Sequence, residues 1–211
     1  MEKIINEVRE YYSEKVKQYG STSKGVDWNS KESQYLRFSQ LLKVLEVKDK
    51  FSLNDLGCGY GELVNYLDAN RYNNYIYAGW DLSGEMIKVA SELFVDKTNA
   101  KFFQMYDDRE MSANDYCIAS GIFNVKMQFS IDEWRDYIFS TLDAMNANSS
   151  CGFSFNMLTK YSDEDKMRDY LFYADPCEIF AFCKQNFSRN VALLHDYELY
   201  EFTILVRKDK K

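Results

Sequence analysis

The sequence predicts an α/β fold in which a mostly parallel sheet carries helices on both faces. Two observations lead to this prediction. From residue 51 onward, short apolar stretches alternate with longer stretches whose apolar residues have helical spacing. This alternation is typical of parallel sheets, because parallel strands are joined by helical crossovers. The last two apolar stretches lie too close together for a crossover, so they predict a hairpin and one antiparallel strand at the end.

Seven strands are predicted from the apolar stretches. They cover residues 51–56, 75–80, 101–105, 115–120, 151–157, 191–194 and 200–206. Helix starts between them are indicated by capping residues. Ser130 and Glu133 match a capping box, and Asp175 followed by Pro176 matches an N-cap with proline at the first helical position. Sheets of this kind bind ligands beyond the carboxyl ends of their strands, so functional residues are expected there.

Two amphipathic helices are predicted before the first strand, one over residues 4–19 and one after Ser30. We therefore divide the chain into an N-terminal helical extension, residues 1–48, and a main domain, residues 49–211. Aromatic residues of the extension, among them Tyr12 and Trp28, have two interpretations that both stay open. They either cover a ligand as a lid or pack the helices against the domain.

Charge and composition narrow the classes of partner. The net charge is −7 and the basic residues are scattered, which disfavours nucleic acid and favours a small or neutral substrate. One histidine and five cysteines without a CxxC pair predict no metal site and a reducing compartment. No apolar run approaches the ~20 residues that span a bilayer. These features predict a soluble, cytoplasmic protein without membrane contact, of unknown oligomeric state.

A glycine-rich loop follows the first predicted strand. Gly57, Gly59 and Gly61 have the spacing G-x-G-x-G, and Asp55 precedes them at the end of the strand. Glycine allows a sharp turn and the close approach of a ligand to the backbone. A nicotinamide-binding loop has the spacing G-x-G-x-x-G, which Glu62 interrupts here. Since the Asp55 carboxylate would repel a pyrophosphate, a ligand with a cationic amino group fits this loop better.

Asp81 follows the second predicted strand, about 20 residues beyond the glycine loop. An acidic residue at this position can accept hydrogen bonds from both hydroxyls of a ribose. Its alternative role is to decorate the start of the helix that Ser83 caps. Because the loop and the acid occur together, ribose binding is the preferred interpretation.

Four segments in order, DLGCGYG, YAGWDLS, FFQMYDD and NDYCIASGIFN, resemble the motif series of class I S-adenosylmethionine-dependent methyltransferases. The resemblance covers roughly residues 51–157 and implies a Rossmann-like sheet with S-adenosylmethionine as cofactor. It implies that the methionine part of the cofactor is held by Asp55, Gly57, Cys58, Gly59 and Gly61. Further implied contacts are Asp81 with the ribose hydroxyls, Leu82 with the adenine ring, Asp107 with the adenine amino group beside Tyr106 or Asp108, and Ser120 and Gly121 at the reaction centre. Tyr12 and Trp28 are added to the cofactor site as candidate lid residues.

The position after the fourth strand indicates the acceptor. Members of the family that methylate amino groups often carry Asn-Pro-Pro-aromatic there, whereas this chain has Ser-Gly-Ile-Phe-Asn over residues 120–124. This departure disfavours adenine and glutamine as acceptors and leaves oxygen, carbon and other nitrogen atoms open. With the acidic charge, it favours a small molecule, for example a sugar or metabolite hydroxyl. A non-catalytic binding protein of the same fold and, less favoured, a nicotinamide oxidoreductase are the alternatives.

An alcohol acceptor would profit from a general base, and His195 is the candidate. It is the one histidine of the chain and lies at the turn of the last hairpin, on the side of the glycine loop. Asp196 would orient the imidazole, and Tyr197 would shape the pocket. The alternative is that His195 only makes a hydrogen bond within the hairpin.

Overall fold

The structure, a computed structural model, describes residues 1–22, 30–46, 50–107 and 110–209. The α-helices are α1 Glu2–Tyr19, α2 Lys31–Leu41, α3 Glu62–Ala69, α4 Gly84–Leu93, α5 Ile131–Ala147 and α6 Pro176–Asn186. The strands are β1 Phe51–Leu56, β2 Tyr75–Asp81, β3 Ala100–Gln104, β4 Asn114–Ala119, β5 Ser149–Leu158, β6 Asn190–Leu194 and β7 Glu201–Arg207. Every strand predicted from the sequence is present, with ends that differ by at most two residues.

The seven strands form one sheet in the order β3-β2-β1-β4-β5-β7-β6. The first five strands pair in parallel, and β7 runs antiparallel between β5 and β6. The predicted Rossmann-like sheet and its terminal hairpin are thus confirmed. The strand order reverses between β1 and β4, so a crevice opens beyond the carboxyl ends of these two strands.

Helices cover both faces of the sheet, as predicted. One apolar cluster joins residues of α1, α5 and α6, represented by Val8, Trp134 and Ile179, to one face. A second cluster joins residues of α2 and α3, represented by Phe38 and Leu63, to the other face. Both faces of the central strands are therefore buried, which explains their nearly continuous apolar sequences.

The predicted helix caps are present. The Ser130 hydroxyl accepts from the Glu133 backbone N–H while the Glu133 side chain accepts from the Ser130 backbone N–H, completing the capping box of α5. The Asp175 side chain accepts from the Cys177 backbone N–H at the start of α6. These contacts satisfy helical N–H groups that have no partner within the helix.

The two N-terminal helices pack onto the domain rather than standing apart from it. α1 contacts α4, and α2 contacts α3, β5 and β7. The second helix ends at Leu41 and continues as a 3₁₀ turn over Leu42–Val44. The predicted boundary between residues 48 and 49 lies outside the described residues. In the described part of the chain, no helix is both long and apolar enough to cross a membrane.

Candidate functional site

A cavity of about 330 Å³ lies in the crevice beyond the carboxyl ends of β1 and β4. Its floor is the glycine loop and the ends of β1, β2 and β4. Its walls include α1 and α2, which enclose it from opposite faces of the sheet. Residues of α1 on the wall are Ile5, Val8, Arg9 and Tyr12, and those of α2 are Gln34, Arg37 and Phe38. The predicted location of the functional residues and the observed cavity therefore coincide.

The glycine loop turns through left-handed backbone conformations. Gly57 has φ 74° and Gly59 has φ 55°, values that residues with a Cβ seldom adopt. A Cβ on Gly57 would also come within 2.3 Å of Ile122 Cγ2. Glycine at 57 thus permits both the turn and the contact with the segment after β4, and it leaves the backbone open towards the cavity.

Asp81 connects the loop to the next helix. Its Oδ2 accepts from the Gly59 backbone N–H at 2.9 Å, and its Oδ1 accepts from the Ser83 backbone N–H at 2.8 Å. The Ser83 hydroxyl is 2.8 Å from the Ser13 hydroxyl of α1. Burial raises the pKa of Asp81 to about 6, while the two backbone hydrogen bonds oppose the shift. The carboxylate thus joins the glycine loop to the start of α4, and Ser83 contacts α1 at the same end of the cavity.

Asp55 is a second buried carboxyl group, at the end of β1. Its Oδ2 accepts from the Tyr77 hydroxyl at 2.6 Å. Burial and the nearby charge of Asp81 raise its pKa to about 7, against the opposing effect of the Tyr77 hydrogen bond. Two buried acids at this end of the cavity favour a ligand that is cationic there or rich in hydrogen-bond donors.

A buried polar network links α2 to the segment after β4. The Arg37 guanidinium donates to both oxygens of the Glu201 carboxylate, with N–O distances of 2.6–3.0 Å. Asn156 donates its side-chain N–H to the same carboxylate and accepts from the Gly121 backbone N–H at 2.8 Å. Glu201 is 2% exposed and Arg37 is 7% exposed. With its lone pairs used in this way, the Glu201 carboxylate is an anchor rather than a base.

Several buried polar atoms of the cavity wall have no hydrogen-bond partner among the described residues. They are Arg9 Nε, Gln34 Oε1, Ser120 Oγ and Thr141 Oγ1. The great majority of buried polar atoms in proteins have a hydrogen-bond partner. Exceptions that share one cavity therefore indicate where a polar ligand binds. Within the described residues, no group of acidic, cysteine or histidine side chains could hold a metal ion.

Most of the predicted cofactor residues line this one cavity. They are Tyr12, Asp55, Gly57, Cys58, Gly59, Asp81, Leu82, Ser120 and Gly121. Gly61 and Asp107 are described but do not line it. A Cβ on Gly61 would meet the rings of Phe94 and Phe102 at 2.8 Å, so Gly61 serves packing in this structure. Trp28 and Asp108 lie outside the described residues.

His195, Asp196 and Tyr197 are not brought to the cavity. His195 and Asp196 are exposed, and the His195 ring lies beside Tyr161. The Tyr197 hydroxyl is 2.9 Å from Thr203 Oγ1 inside the fold. The hairpin turn lies at the expected end of the sheet, beyond the carboxyl end of β5, but β6 is an edge strand of the sheet. Four strand spacings separate β6 from β1, about 19 Å. The expectation of a general base at His195 therefore gains no support.

Sequence reasoning missed the wall residues of α2, α5 and β7. Arg37 and Glu201 are 164 positions apart, and no local motif connects them. A signal was present in α2, where Gln34 and Arg37 occupy the same side as the buried Phe38. Polar residues on a buried helix face indicate either a partner or a ligand.

This sheet order, with a glycine loop after β1 and a carboxylate at the end of β2, agrees with the class I S-adenosylmethionine-dependent methyltransferases. The protein named "Putative methyltransferase Rv1506c" of Mycobacterium tuberculosis (strain ATCC 25618 / H37Rv) is 53% identical over 168 residues, which cover 79% of this chain and 99% of that protein. The chain belongs to this methyltransferase family. No family model matches it.

Solved structures share the fold. The DhpI complex with S-adenosylhomocysteine (SAH) has a TM-score of 0.64 at 13% identity, covering 99% of this chain and 98% of that one. Magnesium protoporphyrin IX methyltransferase from Synechocystis PCC 6803 with bound SAH has a TM-score of 0.62 at 14% identity, covering 96% and 99%. Human N-acetylserotonin methyltransferase with S-adenosylmethionine (SAM) has a TM-score of 0.60 at 14% identity, covering 98% and 66%. At these identities the likeness shows the fold.

Proposed function

We propose that the chain transfers a methyl group from SAM to a hydroxyl group of a small molecule, such as a sugar or another metabolite. The observation that carries the proposal is one continuous cavity that joins the glycine loop and Asp81 to an apolar and aromatic region between α1 and α2. SAM supplies a methyl group activated on a sulfonium. The volume of about 330 Å³ is in the range of sites for small molecules and cofactors, so it suits SAM.

The cofactor half of the cavity is assigned by its chemistry. We propose that Asp81 accepts from the ribose hydroxyls and that Leu82 packs on the adenine. Asp55 and the 57–59 loop would hold the methionine part, because a carboxylate favours its ammonium group. Two acids near the glycine loop support this assignment, since they would repel the pyrophosphate of a dinucleotide.

The polar groups after β4 support an acceptor other than an amide or adenine nitrogen. Asn124 Oδ1 already accepts from the Leu158 backbone N–H at 3.1 Å. The Phe123 carbonyl accepts from Trp134 Nε1 at 2.9 Å, and the Phe123 ring is buried in the core. These oxygens are therefore engaged within the protein, and this aromatic ring does not present a face to a planar substrate.

We propose that α1 is the lid of the cofactor site. Its Arg9 and Tyr12 line the cavity, and Ser13 is tied to Ser83 next to Asp81. A lid that excludes water and aligns donor with acceptor can supply much of the rate of a displacement at a methyl group. Without His195 in the cavity, alignment is the contribution that the wall residues support.

A cytoplasmic location also remains part of the proposal. All five cysteines are free thiols. Unpaired cysteines are typical of a reducing compartment.

Binding of SAH is expected to weaken as the pH falls below 7. Protonation of Asp55, with a pKa of about 7, and of Asp81, with a pKa of about 6, removes the charges that favour the ligand. Titration calorimetry at pH 8.0 and 5.5 should show a loss of affinity of about tenfold or more. The free energy of unfolding of the ligand-free protein is expected to depend on pH in the opposite direction. The raised pKa values of the two carboxyl groups stabilise the folded state below pH 4, and this contribution is lost as the pH rises through 6 and 7.

The variant Asp55→Asn is the control for this pH dependence. It keeps a side chain of the same shape but cannot titrate, so the component near pH 7 should disappear while the component near pH 6 remains. Equal affinities of the wild type at pH 5.5 and 8.0 would contradict the assignment of both carboxylates to the cofactor site.

Methyl transfer is expected to label small hydroxylated molecules. The protein would be incubated with SAM carrying a tritiated methyl group and with matched sets of sugars, hydroxylated metabolites, their amino analogues, RNA and a protein mixture. We expect label in a hydroxylated small molecule and none with the Asp81→Ala variant. Label confined to RNA or protein would overturn the small-molecule assignment, and label confined to amino analogues would overturn the hydroxyl.

A further inference from the structure

Gln34 is a buried side chain of α2 with an unused hydrogen-bond acceptor. It is 4% exposed and lines the cavity, and its Oε1 has no hydrogen-bond partner within the described part of the chain. A buried polar atom costs free energy unless a ligand or a water satisfies it. Because an amide oxygen only accepts, the ligand group that satisfies it has to be a donor.

Ion pairs on either side of Gln34 join α2 to other parts of the domain. Lys31 Nζ is 3.0 Å from Glu62 Oε1, at the first residue of α3. Arg37 pairs with Glu201 at the start of β7. Lys31, Gln34 and Arg37 are spaced by three residues and so lie on one side of α2. This helix is therefore attached both to the helix that follows the glycine loop and to the far half of the sheet.

The neighbours of Gln34 indicate which end of the ligand it faces. Burial raises the pKa of the Tyr60 hydroxyl, in the glycine loop, to about 12, and the adjacent Gln34 side chain partly opposes this shift. Asp81, assigned to the ribose, is the last residue of β2, which lies on the side of β1 opposite to β4. A ligand whose ribose lies at Asp81 and whose chain crosses the loop towards β4 presents its far end to α2.

We infer that the Gln34 side-chain oxygen accepts a hydrogen bond from the α-ammonium group of SAM. The inference rests on the proposed function, since it assigns one further contact within the same site. Its consequence is selectivity: α2 recognises a ligand that carries the amino group, and it discriminates against a nucleoside that lacks the amino-acid chain.

Three ligands separate the possibilities for a Gln34→Leu variant. SAH has both the ammonium and the carboxylate of the amino-acid chain. Decarboxylated SAM keeps the ammonium but lacks the carboxylate, and 5′-methylthioadenosine lacks both. Titration calorimetry of the variant should show about a tenfold or greater loss of affinity for the first two, as for one lost hydrogen bond to a charged group. Affinity for 5′-methylthioadenosine should be unchanged, which also shows that the site is folded.

Gln40→Leu is the matched control. Gln40 is a buried glutamine of the same helix, 7% exposed, whose Oε1 accepts from Lys43 instead of facing the cavity. Its replacement should leave all three affinities unchanged. If Gln34→Leu binds SAH as the wild type does, or loses SAH but not decarboxylated SAM, the inference is overturned. Failure of the wild type to bind SAH at all would instead overturn the proposed cofactor site.

Discussion

Replacement of Asp81 by alanine is expected to lower the affinity for SAM and SAH by at least about 100-fold. Two ribose hydroxyls would each lose a charged acceptor, and such hydrogen bonds contribute about 1.5–3 kcal/mol each. The variant would also release the Gly59 and Ser83 backbone N–H groups, which Asp81 holds at 2.9 Å and 2.8 Å. The glycine loop would therefore lose part of its support together with the ligand contact. Titration calorimetry on the folded variant measures the loss.

Asp115→Ala is the control for Asp81. The Asp115 carboxylate also accepts from a backbone N–H, that of Ser52 at 2.7 Å, but it does so near the amino ends of β1 and β4. Its removal should leave the affinity for SAH unchanged. If Asp81→Ala bound SAH within about threefold of the wild type, the ribose assignment would have to be abandoned.

Removal of one partner of the Arg37–Glu201 pair should cost about 3–5 kcal/mol of the free energy of unfolding. In Glu201→Leu, the Arg37 guanidinium stays buried without its counter-charge, and Asn156 loses an acceptor. The double variant Arg37→Leu with Glu201→Leu should recover most of the loss, because no buried charge is left unpaired. Urea unfolding of the single and double variants, analysed as a double-mutant cycle, measures the coupling.

The Arg135–Glu178 pair provides the comparison for the buried pair. It joins the same residue types, but both side chains are 40% or more exposed. Glu178→Leu should cost less than about 1 kcal/mol, because solvent screens an exposed pair. Equal costs at the two sites would show that burial does not set the strength of the Arg37–Glu201 pair. The Glu201 variants should also lower the affinity for SAH. Asn156, which donates to Glu201, accepts from the Gly121 backbone N–H at the cavity, so loss of Glu201 removes support from this segment.

Sequence reasoning located much of the cavity because the relevant signals are local. The glycine loop is contiguous, and a carboxylate at the end of β2 falls beside it whenever β1 and β2 pair in parallel. Asp81 and Gly59, 22 positions apart, form a hydrogen bond for this reason. The capping residues of α5 and α6 were also readable, since a cap involves residues only two or three positions apart.

The other walls of the cavity depended on tertiary structure. Gln34 and Glu201 both line it only because α2 packs across the sheet and β7 inserts between β5 and β6. The same strand order leaves His195, in the turn after β6, at an outer edge of the sheet. The spacing of apolar residues determines strands and helices, and polar capping residues determine helix starts, because both depend on near neighbours in the chain. The order of strands and the docking of α1 and α2 are determined by packing between residues far apart in the chain, and the cavity walls away from the glycine loop follow from that packing.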